Sequence, residues 1–228
     1  MLRDCIEQVE ERILRAVQRA GRRREEITLV AVTKKFPPEI IREAYGHGLR
    51  HFGENYVQEF EAKRPALVDL PDAQFHLIGH LQSNKTRVAA GIFHTIETVD
   101  SEKLARRLNE AGSALEVMIE VKLSPEDSKS GVSPEELAAL AAAIRSCANL
   151  RLAGLMTMPP WNDDPEQTRP YFRRLAELAR EHGLAKLSMG MSHDFEAAIE
   201  EGATHIRVGR ALFGPRPLTR NEPSSGGV

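Results

Sequence analysis

The chain alternates short runs of apolar, largely β-branched residues with longer amphipathic segments. This alternation predicts a parallel β-sheet whose strands are connected by helices. The runs with the length and composition of strands are Ile27–Thr33, His51–Glu54, Phe75–Gly79, Thr95–Val99, Leu115–Val121, Leu152–Met156, Lys186–Gly190 and His205–Gly209. Because eight strand-and-helix units fit within about 200 residues, the pattern favours a single (β/α)8 TIM barrel. An open, doubly wound sheet is the alternative fold.

The segments between the strands have helical spacing. The predicted helices are Pro38–His47, Tyr56–Arg64, Ser83–Ala90, Ser101–Ala111, Pro134–Cys147, Glu166–His182 and Asp194–Glu201. Residues 1–20 carry apolar side chains at every third or fourth position, which predicts an extra helix before the first strand. We expect the barrel to occupy residues 1–216. Residues 217–228, which contain Pro, Ser and Gly, are expected to form a flexible tail.

Composition narrows the classes of partner. The 228 residues are 41% hydrophobic, enough for a compact core, and their formal net charge is −2. That charge gives no electrostatic reason to expect nucleic acid or an anionic membrane as partner. Without a long apolar run or a signal-peptide pattern, we expect a soluble cytoplasmic protein. His76 and His80 would lie too far apart along a strand to share a metal ion, so no metal site is predicted.

The end of the first strand carries a candidate reactive group. In a (β/α)8 barrel the active site lies at the C-terminal ends of the strands, and Lys34 directly follows one. The alternation of a strand places Lys34 on the same face as Val30 and Val32, which directs its amine to the barrel mouth. Such a lysine can form a Schiff base with an aldehyde when its pKa is lowered. A solvated loop lysine is the alternative, since Lys35 is adjacent, and Lys122 at the end of the fifth strand is a rival.

The last two strands offer groups that bind anions. Arg207 alternates with Ile206 and Val208, so the two kinds of side chain face opposite sides of the sheet. An arginine inside the barrel needs a partner or an anion, and a structural ion pair is the alternative role. Phosphate sites in this fold commonly form after strands seven and eight, where Ser188–Asp194 and Gly209–Ala211 offer small residues and hydroxyls. Together with Lys34, this arrangement suits a phosphorylated aldehyde.

Several segments along nearly the whole chain resemble one known family, the pyridoxal phosphate homeostasis proteins, which are related to the barrel domain of alanine racemase. The segments that carry the resemblance are Leu29–Lys34, Phe52–Tyr56, His76–Lys85, Ser128–Gly131, Gly154–Met158, Ser188–Ser192, Arg207–Gly209 and Phe213–Gly214. Each is weak alone, but the combination is specific.

The resemblance implies a barrel that holds pyridoxal 5′-phosphate (PLP) as a Schiff base on Lys34. It implies a role in buffering or delivering PLP without substantial catalytic turnover, and delivery would make PLP-dependent apo-enzymes its partners. The other cofactor-binding residues that it implies are Asn55, Met156, Ser192, Arg207, Gly209 and Arg210. Two positions depart from the family pattern. Arg210 stands where threonine or serine is expected, and His193 stands where an acidic residue is common.

Two enzymes remain as alternatives. A racemase-like PLP enzyme is chemically feasible, because bound PLP supports racemisation, transamination and decarboxylation. Racemisation needs acid–base groups on both faces of the cofactor, and the racemases take one from a second, β-rich domain. Only residues 210–228 follow strand eight here. The other alternative is a class I aldolase-type barrel that uses Lys34 or Lys122 on a sugar phosphate.

Overall fold

Eight parallel strands close into a barrel in sequence order in the computed structural model, which describes residues 1–124 and 130–215. The strands are β1 (Thr28–Val32), β2 (His51–Glu54), β3 (Gln74–Leu77), β4 (Thr95–Val99), β5 (Leu115–Glu120), β6 (Leu150–Met156), β7 (Lys186–Met191) and β8 (His205–Val208). Strand β8 pairs with β1 and closes the barrel. The predicted (β/α)8 barrel is therefore confirmed. The predicted tail, residues 217–228, lies outside the described residues.

Helices alternate with the strands. They are α1 (Leu2–Arg19), α2 (Pro38–Gly46), α3 (Val57–Lys63), α4 (Thr86–Ile92), α5 (Glu102–Glu110), α6 (Leu137–Arg145), α7 (Arg169–Glu181), α8 (Phe195–Glu200) and α9 (Arg210–Phe213). Helix α9 was absent from the sequence prediction. Helix α7 begins later than predicted, because a 3-10 turn capped by the Asp164 side chain precedes it. No helix in the described parts of the chain is long and apolar enough to cross a membrane.

The predicted N-terminal helix has a packing role. Its buried face contains Ile6, Val9 and Ile13, spaced at three and four residues as an amphipathic helix requires. This helix, α1, packs against α8 and α9. Helix α1 therefore adds to the outer helical layer beside α9, which has only four residues.

Alternation along the strands separates two environments. Ala31, Ile206 and Val208 belong to the continuous apolar core outside the strands. The barrel interior, in contrast, contains buried polar side chains that include Glu97 and Arg207. Bulky branched residues fill most barrels of this kind. The interior of this barrel is polar instead.

Candidate functional site

A cavity of about 610 Å³ opens at the C-terminal ends of the strands. Six of the seven predicted site residues line it: Lys34, Asn55, Ser192, Arg207, Gly209 and Arg210. The seventh, Met156, is fully buried and is not among the lining residues. Met158, two residues further along, lines the cavity instead. The structure thus gathers residues from both ends of the sequence into one site.

Lys34 reaches the cavity because β1 keeps its alternation to its end. Val32, two residues earlier, lines the same cavity, whereas Ala31 packs into the outer core. The rival lysines, Lys35 and Lys122, are not among the lining residues. Of the three candidate lysines, the geometry therefore places Lys34 at the cavity.

A hydroxyl and backbone N–H groups meet where the loops after β7 and β8 adjoin. The Ser192 Oγ accepts hydrogen bonds from the backbone N–H groups of Gly209 and Ala211, both at 3.3 Å. A Cβ at position 209 would lie 3.3 Å from the Cβ of Val32, so glycine lets β1 and this turn approach closely. Arg210 lines the same side. These groups can bind an anion such as a phosphate.

The interior end of the cavity is formed by Arg207, which is 4% exposed. Its guanidinium donates to the Ser188 Oγ at 2.8 Å and to the Thr157 carbonyl oxygen at 2.9 Å. The Ser188 hydroxyl in turn donates to Glu97 at 2.5 Å. Burial alone would raise the pKa of Glu97, but its hydrogen bond to His76 and the charges of His76 and Arg207 lower that pKa to about 2. Glu97 is therefore a buried carboxylate that holds Arg207 through Ser188.

The polar chain continues toward the other end of the barrel. The Nδ1 of His76 lies 2.8 Å from Glu97 Oε1, and its Nε2 lies 3.0 Å from Nδ1 of His51. Burial lowers the pKa values of His51 and His205 to about 4. The barrel interior therefore contains histidines that stay neutral when it is folded. Sequence analysis weighed His76 as a metal ligand and missed this series of hydrogen-bonded side chains, whose members come from five strands.

Stability is expected to fall as the pH decreases from 6.5 toward 4.5. The unfolded chain takes up protons on His51 and His205 in this range, whereas the folded barrel keeps both neutral. Between its unfolded pKa of 6.5 and its folded pKa of about 4, His205 alone accounts for roughly 3 kcal/mol. Glu120 acts in the opposite sense: burial raises its pKa to about 7, so the folded state binds its proton first. Burial also raises the pKa of Glu54, which acts with Glu120, whereas burial lowers the pKa of His94, which acts with His51 and His205. Three histidines are thus set against two carboxyls.

Urea unfolding at several pH values measures this dependence. In the His205→Asn variant the free energy of unfolding should depend less steeply on pH. His80→Gln, at an exposed histidine, should leave the dependence unchanged. Equal slopes for wild type and His205→Asn would contradict the assignment.

Asn55 presents an acceptor that lacks a donor. Its Oδ1 is buried and has no hydrogen-bond partner among the described residues, and the residue lines the cavity. A buried acceptor without a donor costs about 1–3 kcal/mol. A ligand that donates a hydrogen bond to Asn55 would remove this cost.

The rim of the cavity is apolar. Trp161 is 65% exposed, and its ring centroid lies 4.8 Å from that of His193. His193 contacts the carbonyl oxygen of Asp163 through Nε2 at 2.9 Å. Both rings line the cavity together with Met158. Sequence analysis missed Trp161 because the loop after β6 has no periodic pattern that fixes where its side chains lie.

Comparisons with known sequences identify close relatives. Residues 6–217 match the family model described as the alanine racemase N-terminal domain. The pyridoxal phosphate homeostasis protein of Aquifex aeolicus is 46% identical over 221 residues, covering 92% of this chain and 96% of the relative. The protein of the same name from Pseudomonas aeruginosa is 48% identical over 217 residues, covering 92% of this chain and 94% of the relative.

Solved structures show the same fold. PipY of Synechococcus elongatus PCC7942, determined with PLP bound, is 37% identical, and the match has a TM-score of 0.82 and covers 94% of this chain and all of PipY (100%). Alanine racemase from Corynebacterium glutamicum is 20% identical with a TM-score of 0.67, covering 94% of this chain and 62% of the racemase. The likeness to the racemase is one of fold alone.

Proposed function

This chain belongs to the pyridoxal phosphate homeostasis proteins, within the alanine racemase N-terminal domain family, and from that premise we propose that it binds PLP as a Schiff base on Lys34. One cavity brings the amine-bearing Lys34 together with the anion-binding groups of Ser192, Gly209 and Ala211. This juxtaposition carries the proposal, because PLP has an aldehyde and a phosphate on one small ring.

The residues that line the cavity fit PLP chemically. The Ser192 hydroxyl and the N–H groups of Gly209 and Ala211 would hold the phosphate, with Arg210 adding a positive charge that a threonine or serine lacks. Asn55 places a polar side chain in the cavity wall, and its Nδ2 can donate to the phenolic oxygen of PLP. Arg207 would face the pyridine ring. Met156, fully buried, would support the site from below.

The proposed role is to buffer or deliver PLP, which supplies electrophilic carbonyl chemistry when bound. A guanidinium at the pyridine nitrogen disfavours protonation of that nitrogen, which weakens the ring as an electron acceptor. Hydrogen bonds to Ser188 and Thr157 hold Arg207 in place, so its guanidinium would stay beside the pyridine ring. We therefore propose a cytoplasmic carrier without substantial turnover, whose partners are PLP and PLP-dependent apo-enzymes.

The loaded protein is expected to neither racemise nor transaminate amino acids above the rate of free PLP. The measurement follows enantiomer composition and keto-acid release during incubation with L-alanine and other common amino acids. The loaded protein should also transfer PLP to an apo-enzyme faster than release into the free pool allows. Turnover far above the background of free PLP would favour the racemase-like enzyme instead. If PLP reaches the apo-enzyme no faster than it dissociates from the carrier, delivery is contradicted and buffering remains as the role.

A further inference from the structure

The backbone next to Lys34 has an unusual conformation. Lys35 has a φ of 65°, and within residues 1–124 and 130–215 it is the only residue other than glycine with a positive φ. Side chains disfavour this left-handed region, and such a conformation persists only where the surroundings enforce it. The residue directly after the proposed Schiff-base lysine is therefore held against its own preference.

Side chains from β2 and α3 hold the backbone on both sides of Lys34. The N–H of Lys35 donates to Oε1 of Glu59 at 2.6 Å. On the other side, the carbonyl oxygen of Thr33 accepts from Nζ of Lys63 at 3.0 Å. The Thr33 hydroxyl also donates to Oε1 of Glu54 at 2.7 Å. Glu59 and Lys63 thus hold the two peptide groups that flank Lys34, and Glu54 holds the side chain of Thr33.

These three side chains form one ionic cluster. Nζ of Lys63 lies 2.9 Å from Glu54 and 2.6 Å from Glu59. The side chains of Lys63 and Glu54 are 8% and 0% exposed. Burial raises the pKa of Glu54, and Lys63 opposes that rise. Burying charges is costly, and a hydrophobic replacement of similar volume is often as stable. A packing role alone therefore does not account for a charged cluster here.

We infer that Glu54, Glu59 and Lys63 position Lys34 so that its amine reaches the aldehyde of PLP, an inference that rests on the proposed Schiff base. None of the three is among the residues that line the cavity, so they act through the backbone of residues 33–35. Holding a reacting group in place raises its effective concentration, and a displacement of about 1 Å can cost on the order of a hundredfold.

Comparing the affinities for two ligands distinguishes a positioning role of the cluster from a general contribution to the stability of the fold. PLP forms a Schiff base, whereas pyridoxine 5′-phosphate has the same ring and phosphate but lacks the aldehyde. Glu59→Ala removes the acceptor for the Lys35 N–H from a side chain that is 25% exposed, so the barrel should still fold. We expect the variant to bind PLP about tenfold to a hundredfold more weakly. Its affinity for pyridoxine 5′-phosphate should be unchanged.

Two further variants serve as controls. Glu59→Gln keeps an oxygen that can accept from Lys35 and should restore most of the PLP affinity. Glu61→Ala changes the same residue type at an exposed position of α3 and should leave both affinities unchanged. Thermal melting of each variant reports whether the fold is intact.

Specific outcomes overturn the inference. In Glu59→Ala, either an unchanged PLP affinity or an equal loss for both ligands would show that the cluster does not position Lys34. A wild-type protein that binds both ligands equally well and shows no Schiff-base absorbance would instead refute the proposed attachment to Lys34. Failure of the inference and failure of the proposed function are thus distinguishable.

Discussion

Pyridoxal, which lacks the phosphate, is expected to bind at least about a hundredfold more weakly than PLP. The Ser192 hydroxyl and the N–H groups of Gly209 and Ala211 converge at one side of the cavity. Arg210 lines the same side. Hydrogen bonds to a charged group contribute about 1.5–3 kcal/mol each, so losing two or more accounts for the difference. Spectrophotometric titration of the apo-protein with each aldehyde measures both affinities.

A serine variant tests whether these groups are responsible. Ser192→Ala should reduce the difference in affinity between PLP and pyridoxal, because it weakens the binding of PLP alone. Ser146→Ala, at an exposed serine that follows α6, should leave that difference unchanged. Equal affinities of the wild type for the two aldehydes would place the phosphate elsewhere.

Replacing Arg207 by leucine is expected to lower the free energy of unfolding by about 3–5 kcal/mol. The change removes the guanidinium that donates to Ser188 and Thr157 and leaves Glu97 charged in the barrel interior. Breaking one side of a buried charge network costs this much because the remaining charge stays desolvated. Urea denaturation at pH 7 measures the loss.

A double variant isolates the cause of that loss. Adding Glu97→Gln to Arg207→Leu removes the stranded charge and should recover part of the stability, whereas Glu97→Gln alone should destabilise the wild type. Strictly additive effects of the two changes would mean that Glu97 and Arg207 are not coupled. A cost of the single Arg207→Leu change below about 1 kcal/mol would contradict the account of the interior.

Local alternation was enough to predict much of the barrel. The period of two in β1 and β8 placed Lys34 and Arg207 correctly relative to their apolar neighbours, because a strand fixes the face of every side chain. The eight strands follow from another signal, the alternation of short apolar runs with amphipathic segments. The bounds of β2 and β4 agree with the prediction at both ends.

Contacts that join distant strands could not be predicted. The hydrogen bond between Ser188 and Glu97 joins residues 91 positions apart, and no local sequence pattern predicts it. Helix α9 has four residues, too few for a helical period to show. The cluster around Lys63 could not be predicted either. A lysine on a short helix is usually exposed to solvent, and only the structure shows that this side chain is buried.

The most direct test of the Schiff base is reduction of the PLP-loaded protein with borohydride followed by peptide mass mapping. Reduction fixes the cofactor to the nitrogen that carries it. We expect the pyridoxyl group on Lys34, which alone of the three candidate lysines is among the residues that line the cavity, and we expect Lys34→Ala to lose the label. Modification mainly at Lys35 or Lys122 would contradict the assignment.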